Sequence, residues 1–590
     1  MSSLLSRLSF PLALAIAPAL ACGSETPSDD GAATGGSSAS GTSGASTGGS
    51  STGGSATGGS TNGGSSNGGS SNGGSGGASA GSAGQDMGGA SSGGTDSAGA
   101  GPAGSSPGGS ATGGAPGGMG GANGSGAGAP AGGAGSGDSY VSGVTVAVHS
   151  EIRTMLNVTW TQATAADTVH LEFTFPQGRV MTSRPKPGGT GMKRDVVIGV
   201  PGSTNVTVRV VSRVGGVDYK TRDYMGMTGA IPAGMPVPQV SMYNAALASP
   251  EQFMLGAVEN SDGGCNSTNC YYNEVFWLYI IDRQGRIVWY YSDPASGATS
   301  SFQRAARDGG YLWIEKRPFS SGGQSSRSVL KRTLDGTYSE SISVPVGDCI
   351  DVTTDGSLLY DTNNQLMERT RSGTSRMIWN CRAHFTSGSC YTNTINWNER
   401  DNTVVMSYPD RSTVIEVHRQ TGMIVGQYGE DPDSYAFAPT PAPPDGGSWD
   451  FGYQHFANIT KDGTLILSTH MPGHQLSMAT RNPVAGEHSY QEYDIDRTNR
   501  RLTMRWFFQI PGQEWAMFKG MAMKLPNNNV IGNVGTGGVI REITPDKQTV
   551  FMVKFDAPAT TAQNNDFFNK MVGHNFFVAD LYSLNVGGPQ

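Results

Sequence analysis

Between Asp308 and Pro545 the hydrophobic and polar positions repeat one short phrase: a polar turn built on Asp-Gly or Asn, an apolar run, then a second strand-like segment. The phrase stands at Asp308–Ile314, Asp355–Tyr360, Asp401–Met406, Asp462–Leu467 and Asn527–Ile531. A companion phrase, apolar, Asp, turn, apolar, Trp, runs from Ile281 to Trp289 and again from Tyr493 to Trp506. A four-stranded unit recurring at roughly 45 to 65 residues is the mark of a β-propeller, because one blade cannot bury both of its faces alone. Six repeats can be drawn, at 253–300, 301–344, 345–388, 389–430, 450–510 and 518–556, with 572–582 as a closing strand and its loop. The expected fold is all-β, a six-bladed β-propeller over 250–590, with the inner-strand starts facing a central channel.

Residues 139–232 have a different texture. Apolar and polar residues alternate along Val141–Val146, Met155–Trp160, Thr168–Phe173 and Asn205–Val211, as half-buried antiparallel strands do. About seven such strands around Trp160 predict a small fibronectin III-like β-sandwich before the propeller, the alternative being a first blade. The proline-rich run Ile231–Pro238 marks the boundary.

The N-terminus reads as an export signal over residues 1–22: Arg7, the apolar run Leu8 to Leu20, and Ala19-Leu20-Ala21 directly before Cys22. The run is short for a membrane-spanning helix. The placement of Cys22 resembles a bacterial lipobox, although Ala19 stands where that motif prefers Leu. The resemblance implies a lipid on Cys22 and a membrane anchor, and Gly23 in place of Asp implies transfer to the outer membrane or cell surface. Residues 23–138 are almost wholly Gly, Ser, Ala and Thr, too poor in apolar side chains to offset the entropy of ordering. They form a tether whose root-mean-square reach is on the order of 60 Å.

A formal charge of −8 without a Lys/Arg block argues against a nucleic-acid partner. Export places the cysteines in an oxidising compartment, where Cys265 with Cys270 and Cys381 with Cys390 each flank a short loop and are expected to pair. Cys349 is left over, buried or reactive. No CxxC or Cys/His spacing points to a metal or cofactor. His470 and His474 have the spacing of helical ligands, but Pro472 and Gly473 between them favour a loop.

The fifth repeat opens Phe451-Gly452-Tyr453-Gln454-His455-Phe456, followed by Asp462-Gly463-Thr464. With Asn393-Thr394-Ile395-Asn396-Trp397 in the fourth repeat and Gly532–Gly538 with Arg541–Asp546 in the sixth, it resembles the bacterial arylsulfotransferases. These are six-bladed propellers that move a sulfuryl group between phenols without a nucleotide donor. The resemblance covers roughly Phe253 to Asp580. It implies His455 as the nucleophile, passing through a sulfohistidine that divides one hard transfer into two easier ones. It also implies Asn393 as a donor to the sulfuryl oxygens, with a phenolic sulfate and a phenol acceptor as small-molecule partners.

The chain departs from the family elsewhere. Tyr391 stands where the family has His two residues before that Asn, and could assist proton transfer. Pro409 replaces an expected Arg, with Arg411 two positions on, and Asp348-Cys349 replaces His-Asp. Asp348, Arg411 and Arg541 complete the candidate substrate-binding set. A carboxylate at Asp348 would repel a sulfate ester.

Three readings follow. The chain is a tethered sulfuryl transferase using His455, or a catalytically degenerate propeller that binds an extracellular partner or glycan. The third is a structural surface lipoprotein. A monomer is expected in each case. His455 can instead hydrogen-bond a neighbouring blade, and Asn393 can clasp blades. Convergence of His455, Asn393, Tyr391 and an arginine in one pocket would favour the enzyme.

Overall fold

The computed structural model describes residues 136–260, 275–292, 303–305, 310–316, 327–347, 349–362, 364–438, 450–470, 488–511, 514, 519–556 and 572–586. Cys22 and nearly all of the tether, Cys265, Cys270, Asp348, His474 and the side chain of His470 lie outside them.

Six antiparallel sheets repeat around an axis. Blades 2, 3 and 4 are consecutive four-strand meanders, from Gln303–Ala305, Ile350–Val352 and Thr394–Asn398 respectively outward to Ser339–Ser343, Ser375–Asn380 and Ile424–Gly429. Blade 5 runs from His455–Ile459 to Arg501–Gln509, and Ala436–Phe437 adds a short parallel strand at its rim. Blade 6 starts at Gly520–Lys524 and ends at Thr549–Asp556.

Both ends of the propeller close the ring. The inner strand of blade 1 is Phe576–Val578, from the C-terminal segment, and it pairs with Phe253–Asn260. At the other edge Val237–Tyr243 pairs with Thr549–Asp556 as a fifth strand of blade 6. The propeller therefore begins before residue 250, and the proline-rich run ends inside a strand instead of in a linker. Pro238 is tolerated there because the strand is an edge with a free side.

The polar turns of the repeated phrase are the links between first and second strands. Gly356 and Gly463 take φ of +78° and +84°, and Asn402 and Asn528 fill the same left-handed position in other blades. Thr353 and Thr460 add hydroxyls that accept the N–H groups of Ser357 and Thr464 at 3.1 and 3.3 Å. Since strands alternate in direction, these turns lie on one face. The links from second to third strand and from blade to blade lie on the other.

Residues 141–227 form seven antiparallel strands, with Leu156–Thr174 pairing to Lys186–Val197 and Asn205–Val214. Trp160 is buried and its indole donates to Gln162 at 3.2 Å. Their apolar core is continuous with that of blades 1 and 2 through Phe253, Trp289, Leu581 and Tyr582. The Tyr582 hydroxyl donates to the Val196 carbonyl at 2.9 Å, and Arg153 N–H donates to the Tyr290 hydroxyl at 3.0 Å. The two parts are thus one packed body across this junction. No helix among the described residues is long and apolar enough to cross a membrane.

Candidate functional site

The inner-strand starts meet on the face that carries the blade-to-blade links. His455 opens the inner strand of blade 5 after an irregular approach in which Tyr453 takes φ of +45°. Phe456 follows at φ +53°, and the pairing slips between His455, opposite Ser468, and Asn458, opposite Ile466. That bulge sets Phe456 into the apolar core shared by blades 6 and 1. Non-glycine residues at positive φ are uncommon, and two within four positions mark a backbone held by its surroundings.

His455 is 9 % exposed and lies edge to face with His574, ring centres 5.8 Å apart. His574 is 1 % exposed and also meets Phe456 at 4.4 Å. It precedes the inner strand of blade 1, so blades 5 and 1 touch through these three rings. Met521 of blade 6 lies beside them, its sulfur accepting Asn575 N–H at 3.2 Å. Lys519, buried, leads into the inner strand of blade 6 at φ +65°.

Asn393 is buried at the matching start in blade 4. Its side-chain amide donates to the Gln454 carbonyl at 2.9 Å, and Ser407 Oγ donates to the same oxygen at 3.1 Å. Gln454 answers with its own amide to Ser407 Oγ and to the Thr413 carbonyl. Similar clasps run from Asn396 to Ala457, from Asn458 to Ala522 and from Asn533 to Gly573. A ring of amide-to-carbonyl bonds thus sews blades 4, 5, 6 and 1 together near the axis. Buried backbone carbonyls need such partners.

The two candidate arginines each pair with a carboxylate. Arg411 makes a two-pronged pair with Asp431, both contacts at 2.7 Å, donates to the Ser387 carbonyl at 2.7 Å and stacks over Phe385 at 3.9 Å. It holds the loop closed by the Cys381–Cys390 disulfide, the loop that delivers Tyr391 and Asn393 to blade 4. A guanidinium whose fork is filled by a carboxylate is not an open anion clamp. Arg541 is on the third strand of blade 6, not the first, and pairs with Glu514 while lying 5.9 Å from the Phe508 ring centre. Of the two arginines expected to bind substrate, Arg411 has its fork filled by Asp431, whereas Arg541 keeps Nε and Nη1 buried with no hydrogen-bond partner among the described residues. Tyr391 is partly exposed just before Asn393, its backbone N–H donating to Ser389 Oγ. Cys349 is buried and lies outside the Cys381–Cys390 disulfide, its sulfur donating to the Thr392 carbonyl at 3.7 Å.

Asn393 thus reaches the backbone next to His455 through the Gln454 carbonyl, and Tyr391 stands two residues before Asn393 in the chain. His574 and Lys519 were missed. His574 stood in the closing segment as a polar residue in an apolar run, which was the only available sign.

No protein-family model matches the chain, and no curated protein matches it. Solved structures similar to it include a Bacteroides caccae protein of unknown function at 14 % identity, covering 52 % of this chain and 94 % of that one, TM-score 0.32. Virginiamycin B lyase of Staphylococcus aureus matches at 14 % identity over 42 % and 67 %, TM-score 0.27. Kluyveromyces lactis Hsv2 matches at 8 % identity over 61 % and 93 %, TM-score 0.29.

Proposed function

We propose that the chain is an exported, lipid-anchored binding module: a catalytically degenerate propeller of arylsulfotransferase-like design whose channel face meets an extracellular partner or glycan. The observation that supports this most is the engagement of Asn393 by the Gln454 carbonyl and of Arg411 by Asp431. Sulfuryl transfer needs donors aimed at the transferred group before it arrives. Here Asn393 and Arg411 direct their donors at the protein itself. The sulfohistidine reading draws on His455 beside His574 at the inner-strand starts, and it is the rival that the transfer assay must exclude.

In this reading Cys22 carries the lipid and residues 23–138 hold the body away from the outer membrane. Residues 139–232 act as a fibronectin III-like module fixed to blades 1 and 2. The partner is sought by passing surface polysaccharide and surface protein fractions over the immobilised full chain. Retention that His455→Ala and Tyr391→Ala reduce at least about tenfold supports the binding face. Retention unchanged by both variants contradicts it.

A further inference from the structure

On the opposite face, where the polar turns lie, blades 2 and 3 part to leave a cleft of about 190 Å³. Its wall in blade 2 is a cross-strand row, with Trp313 opposite Lys331 and Lys331 opposite Glu340. Tyr311 and Tyr338 flank the row, ring centres 5.0 Å apart. Arg371, on the exposed turn between the third and fourth strands of blade 3, stands at the rim. Deeper in, the blades close on an apolar core of Val329, Ile350 and Leu358.

Two features set this cleft apart from a packing gap. Trp313 is 2 % exposed and lines it, yet its Nε1–H meets no acceptor among the described residues. The indoles of Trp160, Trp289, Trp397 and Trp506 each donate to a protein oxygen. A buried donor left without an acceptor costs about 1–3 kcal/mol, which a ligand oxygen would recover. Secondly, the buried Lys331 ammonium is held over two rings, 4.1 Å from the centre of Tyr311 and 4.7 Å from that of Trp313. Rings attract a cation at that range. The Tyr338 hydroxyl donates to Glu340 at 2.5 Å, so the one acid of the row already has a donor.

We propose that this cleft is a binding site for a single six-membered ring that carries a carboxylate, either a sugar acid or an aromatic acid. The carboxylate lies toward Lys331 and Arg371 and takes the Trp313 N–H, while the ring rests on Tyr338. The volume is below the roughly 300–1,000 Å³ of drug-sized pockets, which limits the occupant to one ring. The site is separate from the His455 face and stands whether or not that face binds anything.

The test titrates the full chain with glucuronate and with 4-hydroxybenzoate, using glucose and phenol as neutral counterparts, and follows tryptophan fluorescence. Saturable binding is expected with a dissociation constant on the order of 1 mM or below, at least tenfold tighter for an acid than for its neutral counterpart. Saturation by only one acid identifies the source of the ring. Trp313→Phe and Arg371→Gln should each weaken binding by about threefold to tenfold, read by calorimetry because the first removes the reporter. Lys331→Met should abolish it; if that variant does not fold, the exposed Arg371→Gln decides. No saturation by either acid at ~50 mM, equal affinity for acids and neutral rings, or affinity unchanged in Trp313→Phe and Arg371→Gln would each overturn the proposal.

Discussion

Arg283→Met tests how the ring is held closed. Arg283 sits in the turn between the third and fourth strands of blade 1, and its guanidinium pairs with Glu542 of blade 6 at 2.9 Å, the two side chains 4 % and 0 % exposed. The same group donates to Ser249 Oγ at 2.7 Å and to the carbonyls of Ser249 and Glu251 at 2.9 and 2.7 Å. It also stacks on Phe577 at 3.8 Å. Removing it leaves a buried carboxylate whose remaining donors are Ser249 N–H and Asn529. Loss of one partner from such a pair costs about 3–5 kcal/mol. Glu542→Gln removes the charge and keeps an acceptor, so a smaller loss of about 1–3 kcal/mol is expected. The double variant should be more stable than the sum of the two losses by about 1–3 kcal/mol. Urea unfolding followed by tryptophan fluorescence measures all four corners. Burial also shields the pair from salt, so the losses should match at ~50 and ~500 mM sodium chloride. Additivity within about 0.5 kcal/mol, or losses that shrink in salt, would refute the reasoning.

Other outcomes follow from the same contacts. His149 Nδ1 accepts the N–H groups of Glu151 and Ile152, its Nε2 faces the Asp335 carbonyl, and burial pushes its pKa below the ordinary 6.5. The unfolded chain then binds the proton more readily, so stability is lost as pH falls below about 6.5, and the slope in an acid titration of the melting temperature should flatten in His149→Ala. Burial raises Asp355, but hydrogen bonds from Thr353, Arg419 and Ser357 outweigh it and hold its carboxyl well below the usual carboxylate range. Its contribution is present above pH ~4 and lost in stronger acid, and Asp355→Asn should remove that part of the acid transition. Reducing Cys381–Cys390, which closes a separation of nine residues, should lower stability by roughly 2–3 kcal/mol in the chain-entropy estimate, read as a drop in the urea midpoint.

The six blades were legible because burial writes itself into sequence at short range. A strand alternates or runs apolar, and its turn demands Gly or Asn at positive φ, as at Gly356, Asn402 and Gly463. The site was legible only in part, because its contacts join residues far apart. Asn393 meets the carbonyl of Gln454, 61 positions away, and no local pattern distinguishes that clasp from a ligand contact. Arg411 looked available until Asp431, 20 positions on, filled its fork. Val237–Tyr243 was placed outside the propeller because its proline count resembles a linker, whereas an edge strand hydrogen-bonded on one side accepts that composition.

The most direct measurement is sulfuryl transfer from a phenolic sulfate to a phenol, run on the full chain and on His455→Ala with trapping of labelled histidine. A binding face predicts background turnover in both proteins and no label on His455. Turnover in the natural chain that His455→Ala abolishes, with label recovered at that residue, would establish the transferase instead.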